Sequence, residues 1–156
     1  MDTTTKGMAY VFLRKDGAIL PSGPAGHVGW GVHMIDGPKW FCGATENSSG
    51  GLIVPPGQNT DGWYKEVASE AEMLDLFRVR LYDAYKVASV RSPRPAAARV
   101  IGEKAPTFGY TGLFNNCLDH TFKVLGAYGD LGMPWPQTNP VPSHWFGAYL
   151  GEYRNL

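Results

Sequence analysis

Two cysteines and four histidines hold the side chains in this 156-residue chain best suited to nucleophilic or metal chemistry: Cys42, Cys117, His27, His33, His120 and His144. Cys117 has the surroundings that favour reaction. Asn116 precedes it as an N-cap, Leu118, Phe122 and Leu125 follow at the spacing of an apolar stripe, and Gly129 supplies a stop. A helix is therefore predicted from Cys117 to about Tyr128. A thiol at the first helical position meets the positive end of the helix dipole, which favours the thiolate. The unpaired N–H groups of the same turn, the Cys117 amide among them, suit an oxyanion. A plainer role fits the local sequence equally well, that of a buried cysteine which merely begins a helix.

A thiol nucleophile needs a base within reach. His27 opens a strand between glycines (G-H-V-G-W-G), where backbone or substrate can approach closely. His33 shares its face six residues on. His120 lies three residues after Cys117, but an i,i+3 pair points outward from one helix and leaves no slot between the two groups. His144 falls in a Pro/Trp-rich tail and reads as a packing or surface residue. A metal site built from His27, His33, Cys42 and Cys117 matches no compact zinc spacing, and no Cys-x-x-Cys occurs, so no metal is expected. Cys42, mid-strand between Phe41 and Gly43, reads as a small buried hydrophobe. With no phosphate-cradling glycine loop or dinucleotide fingerprint, no cofactor is expected either.

The elements that position these groups follow from periodicity. Met8–Arg14 is a strand ending at the Lys15-Asp16-Gly17 turn, and Ile19 to Gly26 reads as loop. His27 to Ile35 alternates, with Val28, Trp30, Val32 and Met34 on one face. The Asp36–Lys39 turn leads into a returning strand to Thr45. Glu46 to Gly62 is a long Asn/Ser/Gly/Pro loop, of the kind that is functional or mobile. Gly62–Val67 is a further strand. Ser69 and Glu72 have capping-box spacing ahead of a helix to about Phe77. Val79–Val90 leans to strand, Pro95 starts a helix to about Lys104, and Thr107–Asn115 is loop. The tail from Met133 drapes over the core. The five tryptophans, Trp30, Trp40, Trp63, Trp135 and Trp145, suit core and tail packing. The expected fold class is α+β, a small antiparallel sheet packed against the late helix that carries the nucleophile. One domain spans 1–156, with 130–156 as its tail.

Composition narrows the function. Hydrophobic residues make up 44% and aromatics 13%, enough to build a core, so disorder is not expected. Fourteen basic and fourteen acidic residues cancel, and no basic stripe exists, which argues against nucleic acid or an anionic membrane as partner. No transmembrane segment and no secretory signal is visible, so a cytoplasmic location is expected. Oligomeric state is not legible.

The order of motifs is a glycine-flanked His on a strand (G-H-V-G-W-G-V), a hairpin, a long intervening segment, then Asn-Asn-Cys opening a late helix (N-N-C-L-D-H-T-F-K-V-L). It resembles the circularly permuted NlpC-type branch of the papain-like fold, which includes the lecithin retinol acyltransferase-like enzymes. The resemblance spans roughly Met8 to Tyr128. It implies Cys117 as nucleophile, His27 as general base, Asn116 as the helix cap beside an oxyanion site, and a polar residue on the neighbouring strand to orient His27. Pairing about the Asp36–Lys39 turn sets His27 opposite Asn47 or Ser48, so Asn47 ranks first for that role and Glu46, next door, second. Both are equally well read as the polar start of a loop. The acyltransferase members often carry Glu-His directly after Asn-Cys, whereas this chain has Leu118-Asp119-His120. The expected function is therefore a thiol hydrolase or acyl transferase acting on a peptide or other acyl amide or ester, first of all a peptidase or amidase and second a lipid enzyme. The rival is a catalytically inactive binding module of the same fold.

Overall fold

A computed structural model of the protein describes residues 6–16, 19–20, 23–35, 39–46, 53–58, 61–111, 116–149 and 151–156. Its centre is strand β1 (Lys6–Arg14), whose unbroken apolar run Ala9 to Leu13 is buried along its whole length. A strand that is apolar on both sides must be covered on both sides. Strand β4 (His27–His33) pairs antiparallel with one edge of β1, and strand β8 (Ala84–Arg91) with the other. Strand β5 (Trp40–Thr45) returns alongside β4, β7 (Gly62–Val67) lies outside β5, and β10 (Glu152–Asn155) lies outside β8. The result is one antiparallel six-stranded sheet in the order β10-β8-β1-β4-β5-β7. Two short ladders stand apart, β2 (Ile19–Leu20) with β3 (Gly23–Pro24), and β6 (Ile53–Val54) with β9 (Tyr110–Thr111).

Helices cover both faces, and the fold is α+β as expected. Helix α1 (Glu70–Val79) buries Met73 and Phe77 against Tyr10, Phe12, Cys42 and Ala44. On the opposite face α2 (Pro95–Lys104), α3 (Cys117–Tyr128) and α4 (Pro142–Ala148) close over Val11, Val28, Trp30, Val32 and Phe41. Gly29 and Gly31 of β4 serve this layering. A Cβ at Gly29 would lie 2.8 Å from the Phe77 ring and one at Gly31 2.7 Å from the Met73 sulfur. The room they leave is taken by α1, not by substrate.

Local signals placed α2 and α3 at their observed bounds. Ser69 accepts from the Glu72 N–H as expected, while Glu72 reaches back to the Ala68 N–H rather than to that of Ser69. Three expectations change. Val79 completes α1, and the following strand starts only at Ala84. The loops predicted over Glu46–Gly62 and Thr107–Asn115 contribute the β6–β9 pair. The tail is more than a drape, since α4 seats Trp145 and Phe146 in the core and β10 extends the sheet.

Helix α1 ends in a Schellman turn, with Tyr82 N–H bonded to Phe77 C=O and Leu81 N–H to Arg78 C=O, each 3.0 Å. The left-handed position of that turn, at φ 66°, is held by Leu81, 75% exposed. A branched side chain there is strained and has little burial to offset the strain. Leu81→Gly is expected to raise unfolding free energy by about 0.5–1 kcal/mol, read as a higher urea midpoint at unchanged slope. An unchanged or lower midpoint would contradict the assignment of strain to this residue.

Candidate functional site

The β4–β5 ladder runs from His33↔Trp40 to Trp30↔Gly43 and stops. On the outer sides the sheet holds on: β1 stays paired with β4 as far as Arg14↔His27, and β7 with β5 as far as Thr45↔Gly62. Only the seam between β4 and β5 opens, leaving Val28 and His27 facing Thr45 and Glu46 across a gap. The first turn of α3 fills it. Asn116 Oδ1 accepts from the Leu118 and Asp119 N–H groups at 2.9 and 3.3 Å, and Asp119 Oδ2 accepts from the Asn116 N–H at 3.1 Å. This reciprocal capping box fixes where the helix starts and leaves the Cys117 N–H out of the cap. The sequence marked Asn116 as cap but not the reciprocal bond from Asp119.

Two contacts tie this turn to the open seam. The Val28 backbone N–H, freed from a β5 partner, faces the Cys117 sulfur and, with the Leu118 N–H, favours its anion. Across the gap Thr45 Oγ1 lies 2.7 Å from His120 Nδ1. Thr45 thus replaces strand pairing with a side-chain bond to the helix.

On the other face of the seam His27 meets Glu46. The hairpin is closed by Met34 N–H on Lys39 C=O at 2.9 Å, and counting down that register sets His27 opposite Glu46. Glu46 therefore occupies the place expected first for Asn47, which lies outside the described residues. The difference is one residue in where the turn is centred. His27 Nε2 stands 3.5 Å from Glu46 Oε2, sealed from solvent and without a hydrogen bond. Glu46 Oε1 accepts from Trp63 Nε1–H at 2.9 Å and from Tyr82 OH at 3.2 Å, and Arg14 stands 3.7 Å from Oε2. Burial pushes His27 down to about 4. The Glu46 charge opposes that shift in part, and Arg14 adds to it.

The thiol departs from expectation. Cys117 is 4% exposed and clusters with Val28, Trp30 and Leu118. Burial pushes it up to about 12, with Asp119 and Glu46 adding to the rise, and the Val28 and Leu118 N–H groups recover only part of it. Desolvation outweighs the helix terminus, so the resting group is a thiol, not a thiolate. Strand alternation sets Val28 towards α3 and His27 towards α1, so imidazole and sulfur approach the gap from opposite faces of β4. Among the described residues no hydrogen bond joins them.

The remaining candidates sort by position. His120 is 1% exposed, pushed down to about 4 by burial and then by Lys123, and edge-on to Phe108 at 5.4 Å. Its fixed contact with Thr45 was not legible from its place on the helix. His33 lies at the far end of β4 against Trp40, and His144 is exposed on α4. Both cysteines are free. Cys42 faces α1 and Cys117 begins α3 on the opposite face, so the sheet separates them. The described residues contain no group of three or more His, Cys, Asp or Glu placed to share a metal ion. Arg14, Trp63, Tyr82 and Thr45 complete the site without any sequence motif to mark them. No protein-family model, no curated protein and no solved structure matches the chain.

Both buried histidines have folded pKa values below their unfolded ones, so between pH 6.5 and 4 the unfolded chain binds more protons than the folded one. The stability they contribute is complete above pH 6.5 and is lost as pH falls towards 4, at about 1.4 kcal/mol per pH unit for each. Urea midpoints are expected to fall across this window, and His120→Gln to flatten its own share of the slope. A midpoint that stays level from pH 6.5 to 4 would refute the buried neutral state of both rings.

Proposed function

We propose that the protein is a thiol-dependent acyl hydrolase or acyl transferase of the permuted papain-like kind that its motif order resembles. Cys117 is the nucleophile, His27 the general base and Glu46 the residue that orients the imidazole. The observation that carries this reading is the open β4–β5 seam, which gathers a thiol at a helix start, a histidine and a carboxylate at one end of a sheet.

The neutral resting pair shapes the chemistry. As Sγ forms its bond to the acyl carbon, the thiol proton passes to His27, so no thiolate needs to be stored beforehand. The carbonyl oxygen takes up the negative charge next to the Cys117 N–H. Collapse of that adduct breaks the bond to the leaving amine or alkoxide, which receives the proton from His27 and leaves a thioester on Cys117. Water, or an acceptor amine or alcohol, then gives its proton to His27 as it attacks the thioester and releases the thiol. Peptide and isopeptide amides are the first substrate class and lipid esters or amides the second. Among the described residues no helix is long and apolar enough to cross a membrane.

The depth of Cys117 favours a second reading, a non-catalytic binding module in which the thiol is core packing. p-Nitrophenyl acetate separates the two. An enzyme releases a burst of nitrophenolate and carries one acetyl group on Cys117 by peptide mass mapping. That reaction is expected to vanish in Cys117→Ser, to slow on the order of 100-fold in His27→Gln, and to slow about tenfold in Glu46→Gln. Acetylation of Cys117 at equal rates with and without His27, or none at all, leaves the module.

A further inference from the structure

We infer that Tyr82 and Trp63 are positioning residues that act on His27 through Glu46: their hydrogen bonds occupy Oε1 and turn Oε2 to the imidazole Nε2. This rests on the reading of His27 as the base, and it adds which ring nitrogen does the work.

The division of labour between the two carboxylate oxygens is the basis. Oε1 takes both neutral donors, Trp63 Nε1–H at 2.9 Å and Tyr82 OH at 3.2 Å. Oε2 faces the two groups able to carry positive charge, His27 Nε2 at 3.5 Å and Arg14 at 3.7 Å. The two donors come from separate elements. Trp63 sits on β7 opposite Ala44, two residues before Glu46, and Tyr82 follows the Schellman turn that ends α1. Donors from two directions fix a side chain that otherwise has several rotamers to choose from.

Neither donor supplies charge or a usable proton. An indole only donates, and burial and the neighbouring Glu46 carboxylate hold the Tyr82 phenol well above its ordinary range. Their effect is therefore directional. An oxygen held opposite Nε2 selects the tautomer with its proton on Nε2 and leaves the lone pair on Nδ1, the nitrogen available to take the thiol proton. Of the groups around this ring, Glu46 favours that tautomer, Arg14 competes for Oε2, Tyr82 lies tilted to it at 5.9 Å between centroids, and Cys117 lies on the other face of β4. If Oε2 swings away, Nε2 loses the negative oxygen that stands opposite it, and the two tautomers become comparable.

The test reads the ring directly. Nitrogen-15 shifts of His27 in the full chain report its tautomer in wild type, Tyr82→Phe, Trp63→Phe and the double variant, with His120 as internal control. Wild type is expected to hold the proton on Nε2. Tyr82→Phe keeps the ring packed on Phe77 and is expected to mix the tautomers, and the double variant more so, while His120 does not move. If the double variant fails to fold, Tyr82→Phe alone decides. Acetylation of Cys117 by p-nitrophenyl acetate is expected to slow about tenfold in the double variant, and not to slow further when His27 is already Gln. A His27 tautomer unchanged in Tyr82→Phe and in the double variant overturns the inference, even if Cys117 acetylates normally. A tautomer that shifts in a protein whose Cys117 never acetylates upholds the clamp and removes the enzymatic reading instead.

Discussion

The sheet's one interrupted seam governs the rest of the structure. Where β4 and β5 part beyond Trp30 and Gly43, the backbone groups of the separated ends lose their ladder partners, and each buried polar group left bare costs about 1–3 kcal/mol. Helix α3 resolves this because its first turn brings a sulfur to the Val28 N–H and an imidazole to the Thr45 hydroxyl. Those contacts demand that α3 begin at one residue and point one way. The capping box of Asn116 and Asp119 meets that demand from within the helix.

Burial on this scale has an electrostatic consequence shared by all three reactive groups. Both histidines bind protons only near pH 4 and the thiol releases its own only near pH 12, so the seam excludes charge at neutral pH. Glu46 borders the same seam, and its carboxylate is closely surrounded. Two neutral donors and one guanidinium take up its oxygens, so the imidazole faces a carboxylate whose attraction is already divided. Such a setting disfavours a standing thiolate–imidazolium pair and suits proton transfer that happens only as a bond forms.

The sequence made legible what is local and hid what depends on distant partners. Helix α3 was readable to the residue because Asn116, Cys117 and Gly129 carry start and stop chemistry within one stretch of chain. Pro95 did the same for α2. The register of the β4–β5 hairpin was readable only to within one residue, since a turn rich in Gly and Pro can be centred in more than one place. That single step moved Glu46 into the position expected for Asn47. Strand β10 gave no signal at all. Its four residues are exposed at the edge of the sheet, so nothing imposes alternation on them, and it exists because β8 offers a free edge. Helix α4, seven residues behind Pro142, is too short to show a period of its own and is held by Trp145. The glycines of β4 were visible but ambiguous, because room for a substrate and room for Phe77 and Met73 look alike in a sequence.

Alternation along β4 assigns Val28 and His27 to opposite faces, which in a fully paired sheet would put a layer of backbone between the sulfur and the imidazole. The β4–β5 ladder ends beside these two residues. The charge of Glu46 acts on Cys117, on His27 and on Tyr82, so all three lie within its electrostatic reach. The interruption is destabilising by itself, and its compensation by α3 is only partial, because His27 Nε2 remains buried without a hydrogen bond. Unmet polar capacity of this kind is a place where stability has been given up.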